Sequence, residues 1–169
     1  GKGNQNQPNR MIPDPFCITV DPVHPEPEII QKAAEMVKSG GVIVFPTHAV
    51  YGLGADAHNL SAVEKVFTIK QRPLDNPLLV LADTMEGIRR LVKQIPESAH
   101  KLMENIWPGG VTLIFEAHER VLPNLTGGTG KIGIRMPEHP VAKALCRSIN
   151  GPITATSANL SGTPGWDDV

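Results

Sequence analysis

Aromatic side chains are scarce in this chain, at 4% of its 169 residues. Its core must therefore be mostly aliphatic. Cysteine is nearly absent. Cys17 and Cys146 lack the CxxC or Cys/His spacing of a zinc site. They read as two reduced thiols, with one long-range disulfide as the alternative. No apolar run approaches the roughly 20 residues that span a membrane, and no signal-peptide pattern is visible. These features point to a cytoplasmic protein. Charge of one sign is lacking too. The net charge of −1 argues against a broad basic face for non-specific nucleic-acid binding. A local basic pocket stays open.

What is there suits one globular domain. Hydrophobic residues make up 40% and charged residues 20%, and a chain of this length buries about 70% of its unfolded surface. Residues 1–15 are polar and proline-bearing and read as a flexible arm. Residues 16–169 read as the domain, beginning with a short strand at "FCITV". "EIIQKAAEMVKSGG" has helical spacing, an acid in its first turn and a glycine stop. "VIVF" and "PLLVLA" read as buried strands, and "YGLGADAHN" as a turn-rich loop between elements. "LSAVEKVFTIKQ" reads as a helix capped by Asn59 or Ser61. Two short helices broken at Pro96 follow. Next come the strand "VTLIFEA", a glycine-rich loop "LPNLTGGTG", the strand "KIGIRMP", a helix "HPVAKALCRSIN" and the strand "PITATSAN". This alternation implies an α/β domain with helices packed on a sheet.

Chemistry gathers at loops that follow element ends. "GLGADA" fits a relaxed dinucleotide-binding pattern, but Pro46 to Tyr51 separate it from the preceding strand, so close backbone packing is the better reading. "GGTGKIG" fails as a P-loop, because Leu125 and Ile132 stand where glycine and a hydroxyl are required. Lys70 and Arg72 end a helix just before Pro73. Their plain role is to meet the helix dipole. Their alternative role is to hold an anion, the guanidinium as a planar fork and the ammonium as a mobile charge. Arg135 adds a third cation at an element end. "TSAN" offers hydroxyls and an amide suited either to capping or to phosphate and sugar oxygens. His48, His58, His100, His118 and His139 have no metal spacing and read as surface or packing residues.

Taken in order, "PTHAVYGLG", "KQRPLDNPL", "WPGGVTLIF", "GIRMPEHP" and "TSANLSG" resemble the YrdC family of threonylcarbamoyl-AMP synthases, in its short form. Each motif is modest alone, but five in sequence are specific. The resemblance implies a single twisted domain with a mixed, mostly parallel sheet and flanking helices around a large cleft. It also implies a reaction in which L-threonine, bicarbonate and ATP give threonylcarbamoyl-adenylate and pyrophosphate. The product would pass to a downstream complex that modifies tRNA. By that resemblance Lys70 and Arg72 are catalytic. Lys70, Arg72, Asn76, Arg135 and Asn159 contact ATP. Thr47, Tyr51, Thr112, Arg135 and Ser157 contact threonine. Magnesium would accompany ATP.

The sequence departs from the family pattern in three places. Ala49 replaces the second Thr of PTxT, and Leu81 stands where many relatives have His. Both positions touch threonine in those relatives, which puts amino-acid specificity in question. The chain also ends at Val169, before a further Ser-Thr-Val strand, as a truncation or as a variant lacking part of the nucleotide site. Two readings compete with the synthase: a tRNA- or double-stranded-RNA-binding module, and a paralogue with another amino-acid substrate. As an exposed helix-end cation, Arg72 is expected to add at most about 1 kcal/mol to folding.

Overall fold

A computed structural model describes residues 17–48 and 50–159. Six strands and six helices alternate almost throughout. The first helix, α1 (Pro27–Lys38), buries Ile30, Ala34 and Val37 along one stripe, while Met36 faces solvent. Gly40 stops it with a φ of 92° that a side chain would strain. Next come β1 (Ile43–Pro46) and β2 (Tyr51–Gly54). Then α2 (Leu60–Lys70) starts at Asn59, whose side chain accepts the amide N–H of Ala62. After β3 (Leu79–Leu81) lie the short α3 (Met85–Arg89) and α4 (Glu97–Ile106). The chain then forms β4 (Leu113–Glu116), a single turn α5 (Pro123–Thr126), β5 (Lys131–Arg135), α6 (Pro140–Ile149) and β6 (Ile153–Ser157).

The strands form one sheet in the order β1-β2-β6-β3-β5-β4. The expected mixed α/β sheet is present, but it is mostly antiparallel. Only β3 and β5 pair in parallel. The reason is local: β1–β2 and β4–β5 follow each other without a helical crossover longer than one turn, and such neighbours pair antiparallel. Strand alternation splits the core into two layers. Leu53, Val80, Ile132 and Ile134 join Val63, Val66 and Phe67 of α2. Phe45, Leu81, Ile153 and Ala155 join Ile30 of α1 and Leu145 of α6.

Three local expectations are corrected. Residues 17–20 form no strand. "VIVF" is buried only in part: β1 is an edge strand in which Phe45 is buried while Val44 is 57% exposed. "YGLG" is a strand rather than a loop. Its glycines are required because the Phe45 ring lies across them: a Cβ on Gly54 would sit 2.6 Å from that ring and 2.9 Å from the Thr154 carbonyl. Both cysteines are free, Cys17 exposed and Cys146 buried. The N-terminal arm, Ala49 and the end at Val169 lie outside the described residues.

Candidate functional site

Lys70 is the last residue of α2. Gln71 leaves the helix in the left-handed region, at φ 52°, and turns the chain toward Arg72. The Lys70 side chain runs inward and is 2% exposed, so its role is not that of a solvated dipole partner. Its ammonium donates to the Ser157 carbonyl at 2.7 Å and to Asn159 Oδ1 at 3.1 Å, with Ser157 Oγ at 3.5 Å. Ser157 Oγ in turn donates to Asn159 Oδ1. All these partners are neutral oxygens. Burial pushes the ammonium below the usual lysine range, and the charge of Arg72 adds to the shift. A buried cation held by neutral oxygens retains attraction for an anion.

Arg72 is spent differently. Its Nε donates to the Asn76 carbonyl at 3.2 Å and its Nη2 to the Pro77 carbonyl, stapling the 73–77 loop. Burial lowers its pKa as well. The loop is further supported by Gly127, where a Cβ would stand 2.5 Å from the Asp75 carbonyl. Asn76 itself is exposed at the turn.

On the far side of β3, Arg135 ends β5. Its Nη2 donates to Thr112 Oγ1 at 3.0 Å. Its Nε is buried and has no hydrogen-bond partner among the described residues. Such an unmet donor costs stability. Thr112 lies over Gly133, where a Cβ would be 3.2 Å from its methyl.

Thr47 and Tyr51 flank the β1–β2 connection. Thr47 Oγ1 donates to the Val50 carbonyl, and the Thr47 methyl lies over Gly52. Gly52 pairs with Ser157, and the Tyr51 carbonyl accepts the Ala158 amide at 2.9 Å. The structure thus joins Lys70, Thr47, Tyr51, Ser157 and Asn159 at one end and Arg135 with Thr112 at the other. Arg135 pairs with Leu81, and Ala155 pairs with Leu79, two residues before Ser157. The ends are therefore about four residues apart along β3, roughly 13 Å at 3.3 Å per residue. Leu81 packs at 4% exposure in the layer under α1 and α6.

The course of α6 links the two ends. Arg147 Nε donates to Asp83 Oδ2 at 2.6 Å, which fixes the C-terminal half of α6 beside the end of β3. At the other end, His139 caps α6 by accepting the Val141 amide at its Nδ1, 3.1 Å away. Its ring lies 5.4 Å from that of His48, beside Thr47. Residues 136–139 therefore carry the chain from the Arg135 end to the Thr47 end. His48 and His139, read from sequence as surface or packing residues, stand at the surface and at the cap of α6, and the cap itself was not foreseen. The one available signal was a His directly before the proline that opens a helix. Among the described residues no His, Cys, Asp and Glu group could hold a metal. A groove of about 990 Å³ between α1 and α6 touches none of the expected site residues. No helix of the described residues is long and apolar enough to cross a membrane.

Residues 35–169 match the Sua5/YciO/YrdC family, described as telomere recombination. Over 140 residues the chain is 46% identical to the threonylcarbamoyl-AMP synthase of Bacillus subtilis, covering 82% of this chain and 40% of that protein. The structure of P. abyssi Sua5 complexed with L-threonine superposes with a TM-score of 0.82 at 40% identity, over 85% of this chain and 42% of that one. E. coli YciO gives 0.78 at 29% identity, over 89% and 73%. The chain thus spans about two fifths of the length of the first two. With most of its own length matched by the family and by its folds, the chain belongs to the Sua5/YciO/YrdC family.

Proposed function

We propose that this chain carries the catalytic cleft of a threonylcarbamoyl-AMP synthase, joining L-threonine, bicarbonate and ATP into threonylcarbamoyl-adenylate with release of pyrophosphate. One observation supports this most: a buried ammonium at the end of β6 and a half-buried guanidinium with an unmet, buried Nε–H at the end of β5 lie at the two ends of β3, in a chain similar to a Sua5 solved with L-threonine. The reaction needs no protein nucleophile. The carboxylated amino acid attacks the α-phosphorus of ATP, and the protein must position anions and stabilise developing charge.

The side chains divide that work. Lys70 leans toward the phosphates and can exchange its Ser157 and Asn159 contacts for anionic oxygens. Arg72 holds the loop that presents Asn76 to the nucleotide. Arg135 offers its unmet Nε to the threonine carboxylate or to a phosphate, while Thr112 fixes the guanidinium plane. Thr47, Tyr51 and Ser157 line the amino-acid end. Magnesium arriving with ATP would be held by phosphate oxygens and water, as is usual for this ion. The product would feed tRNA modification in the cytoplasm through a downstream complex. Pyrophosphate release that requires ATP, bicarbonate and threonine together tests the proposal. Absence of release with every amino acid tried overturns it.

A further inference from the structure

The unmet Nε–H of Arg135 raises a mechanical question. A buried donor without a partner gains by swinging toward one. Among the described residues one hydrogen bond restrains this guanidinium, from Nη2 to Thr112 Oγ1 at 3.0 Å. Its orientation is therefore only as fixed as Thr112.

Thr112 closes the loop between α4 and β4. Trp107 opens that loop. Its ring is buried in the core layer that holds Phe115 and Ile134, and its backbone N–H donates to the Met103 carbonyl of α4 at 3.0 Å. Packing thus sets the direction of the indole. The indole Nε1–H donates to the Val111 carbonyl at 2.7 Å. That carbonyl belongs to the peptide plane leading into Thr112, so the bond fixes the backbone from which the Thr112 hydroxyl projects. Side-chain packing gives this stretch little help. Val111 is among the exposed apolar residues, and a Cβ on Gly110 would meet nothing within 4 Å. One further contact ties the loop to β5: the Gly109 amide donates to the carbonyl of Met136, the residue after Arg135, at 3.1 Å.

We infer that Trp107 is a positioning residue for Arg135. Its indole N–H holds the Val111–Thr112 peptide, Thr112 holds the guanidinium, and the Nε–H is kept free for an anionic oxygen of a substrate. This rests on the proposed function, which supplies the anion. A donor held in place before the ligand arrives raises affinity by removing an ordering cost at binding. Loss of the one neutral hydrogen bond that holds it should weaken binding about three- to tenfold.

The test uses the full chain, its Trp107→Phe and Arg135→Met variants, and the double variant. Calorimetry with L-threonine and with ATP first identifies the ligand that Arg135→Met weakens. For that ligand Trp107→Phe should lose about three- to tenfold in the native background. It should lose nothing further in Arg135→Met, because a positioning residue has no effect once the residue it positions is gone. Val121→Ala, a core truncation outside the loop, should leave affinity unchanged. NMR of the Arg135 Nε–H gives a readout without ligand: its resonance should shift in Trp107→Phe and stay in Val121→Ala. Should Trp107→Phe not fold, the benzothiophene analogue of the Trp107 side chain, which keeps the ring and lacks the N–H, replaces it in the same measurements. Equal losses in the two backgrounds, an unmoved Nε–H resonance, or native affinity for both ligands in Arg135→Met overturns the inference. If the native chain binds neither ligand, the proposed function falls, and the Nε–H resonance still decides whether Trp107 sets Arg135.

Discussion

The two ends of the candidate site each hold a cation, Lys70 buried and Arg135 half-buried, and treat it differently. At the Lys70 end the ammonium donates to Ser157 and Asn159 and is closed in by β2 and β6. At the Arg135 end one guanidinium N–H is bonded to Thr112 and another is left without a partner among the described residues. The first end is part of the scaffold as well as of the site. The second carries a cost that folding alone does not explain. A buried polar group without a partner is rare, and a ligand is a direct reason for one. The contrast teaches that function and stability are entangled at Lys70 and separable at Arg135.

Four substitutions and one titration test that contrast. Lys70→Met should have the largest effect. It removes the charged donor to the Ser157 carbonyl and Asn159 Oδ1, which keep the Asn159 amide and the Ser157 hydroxyl as donors, so it should cost about 1.5–3 kcal/mol, as for hydrogen bonds to a charged group, and it should reduce pyrophosphate release at least about 100-fold. Denaturant unfolding and a turnover assay read the two losses. Arg135→Met should lower turnover by a similar factor yet destabilise the fold by no more than about 1 kcal/mol, since one hydrogen bond is lost and one burial cost is relieved. Equal stability losses for the two variants would erase the contrast.

Gly54→Ala should cost about 1–3 kcal/mol by overpacking against the Phe45 ring and the Thr154 carbonyl, with a fall in Tm as the readout. It disturbs the sheet beside the Lys70 end without removing a charge. Arg72→Ala should cost about 1.5 kcal/mol, the low end for hydrogen bonds to a charged group, because the guanidinium is only half buried. That exceeds the expectation from sequence, since the side chain staples two backbone carbonyls. A melting temperature equal to the native one would restore the sequence reading.

The smallest effect is on pH. Burial lowers Lys70, so between its folded value and the ordinary lysine value the unfolded chain binds more protons than the folded one. Stability should therefore rise with pH across that window, and the destabilising contribution is fully present below it. Comparing denaturant midpoints at pH 8 and pH 10 in the native chain and in Lys70→Met isolates the term. Equal slopes in the two would contradict it. Cys146 provides a calibration. Burial first, and Asp83 second, push its thiol up to about 12, so alkylation at pH 8 should modify Cys17 alone while the chain is folded.

Much of the chain's plan is local and could be read directly. The stripe of Ile30, Ala34 and Val37, the Asn59 cap, the break at Pro96 and the αL stop at Gly40 depend on residues a few positions apart. The family motifs also lie in short contiguous runs, which is why Lys70, Arg135 and Ser157 could be singled out. What failed were statements about partners distant in sequence. The glycines of "YGLG" look like a turn until Phe45 lies over them, and "VIVF" looks wholly buried until the sheet order leaves it at an edge with Val44 exposed.

The main helices, the Asn59 cap and the mostly aliphatic core were legible in the chain alone. Propensity, periodicity and motif spacing are short-range properties of the chain. Strand direction, the burial of Lys70, the diversion of Arg72 to its own loop, the unmet Nε of Arg135 and the meeting of His48 with Glu138 emerged from packing. Each depends on groups brought together from separate parts of the chain. Their energies come from desolvation and hydrogen-bond closure, which exist only once those segments pack.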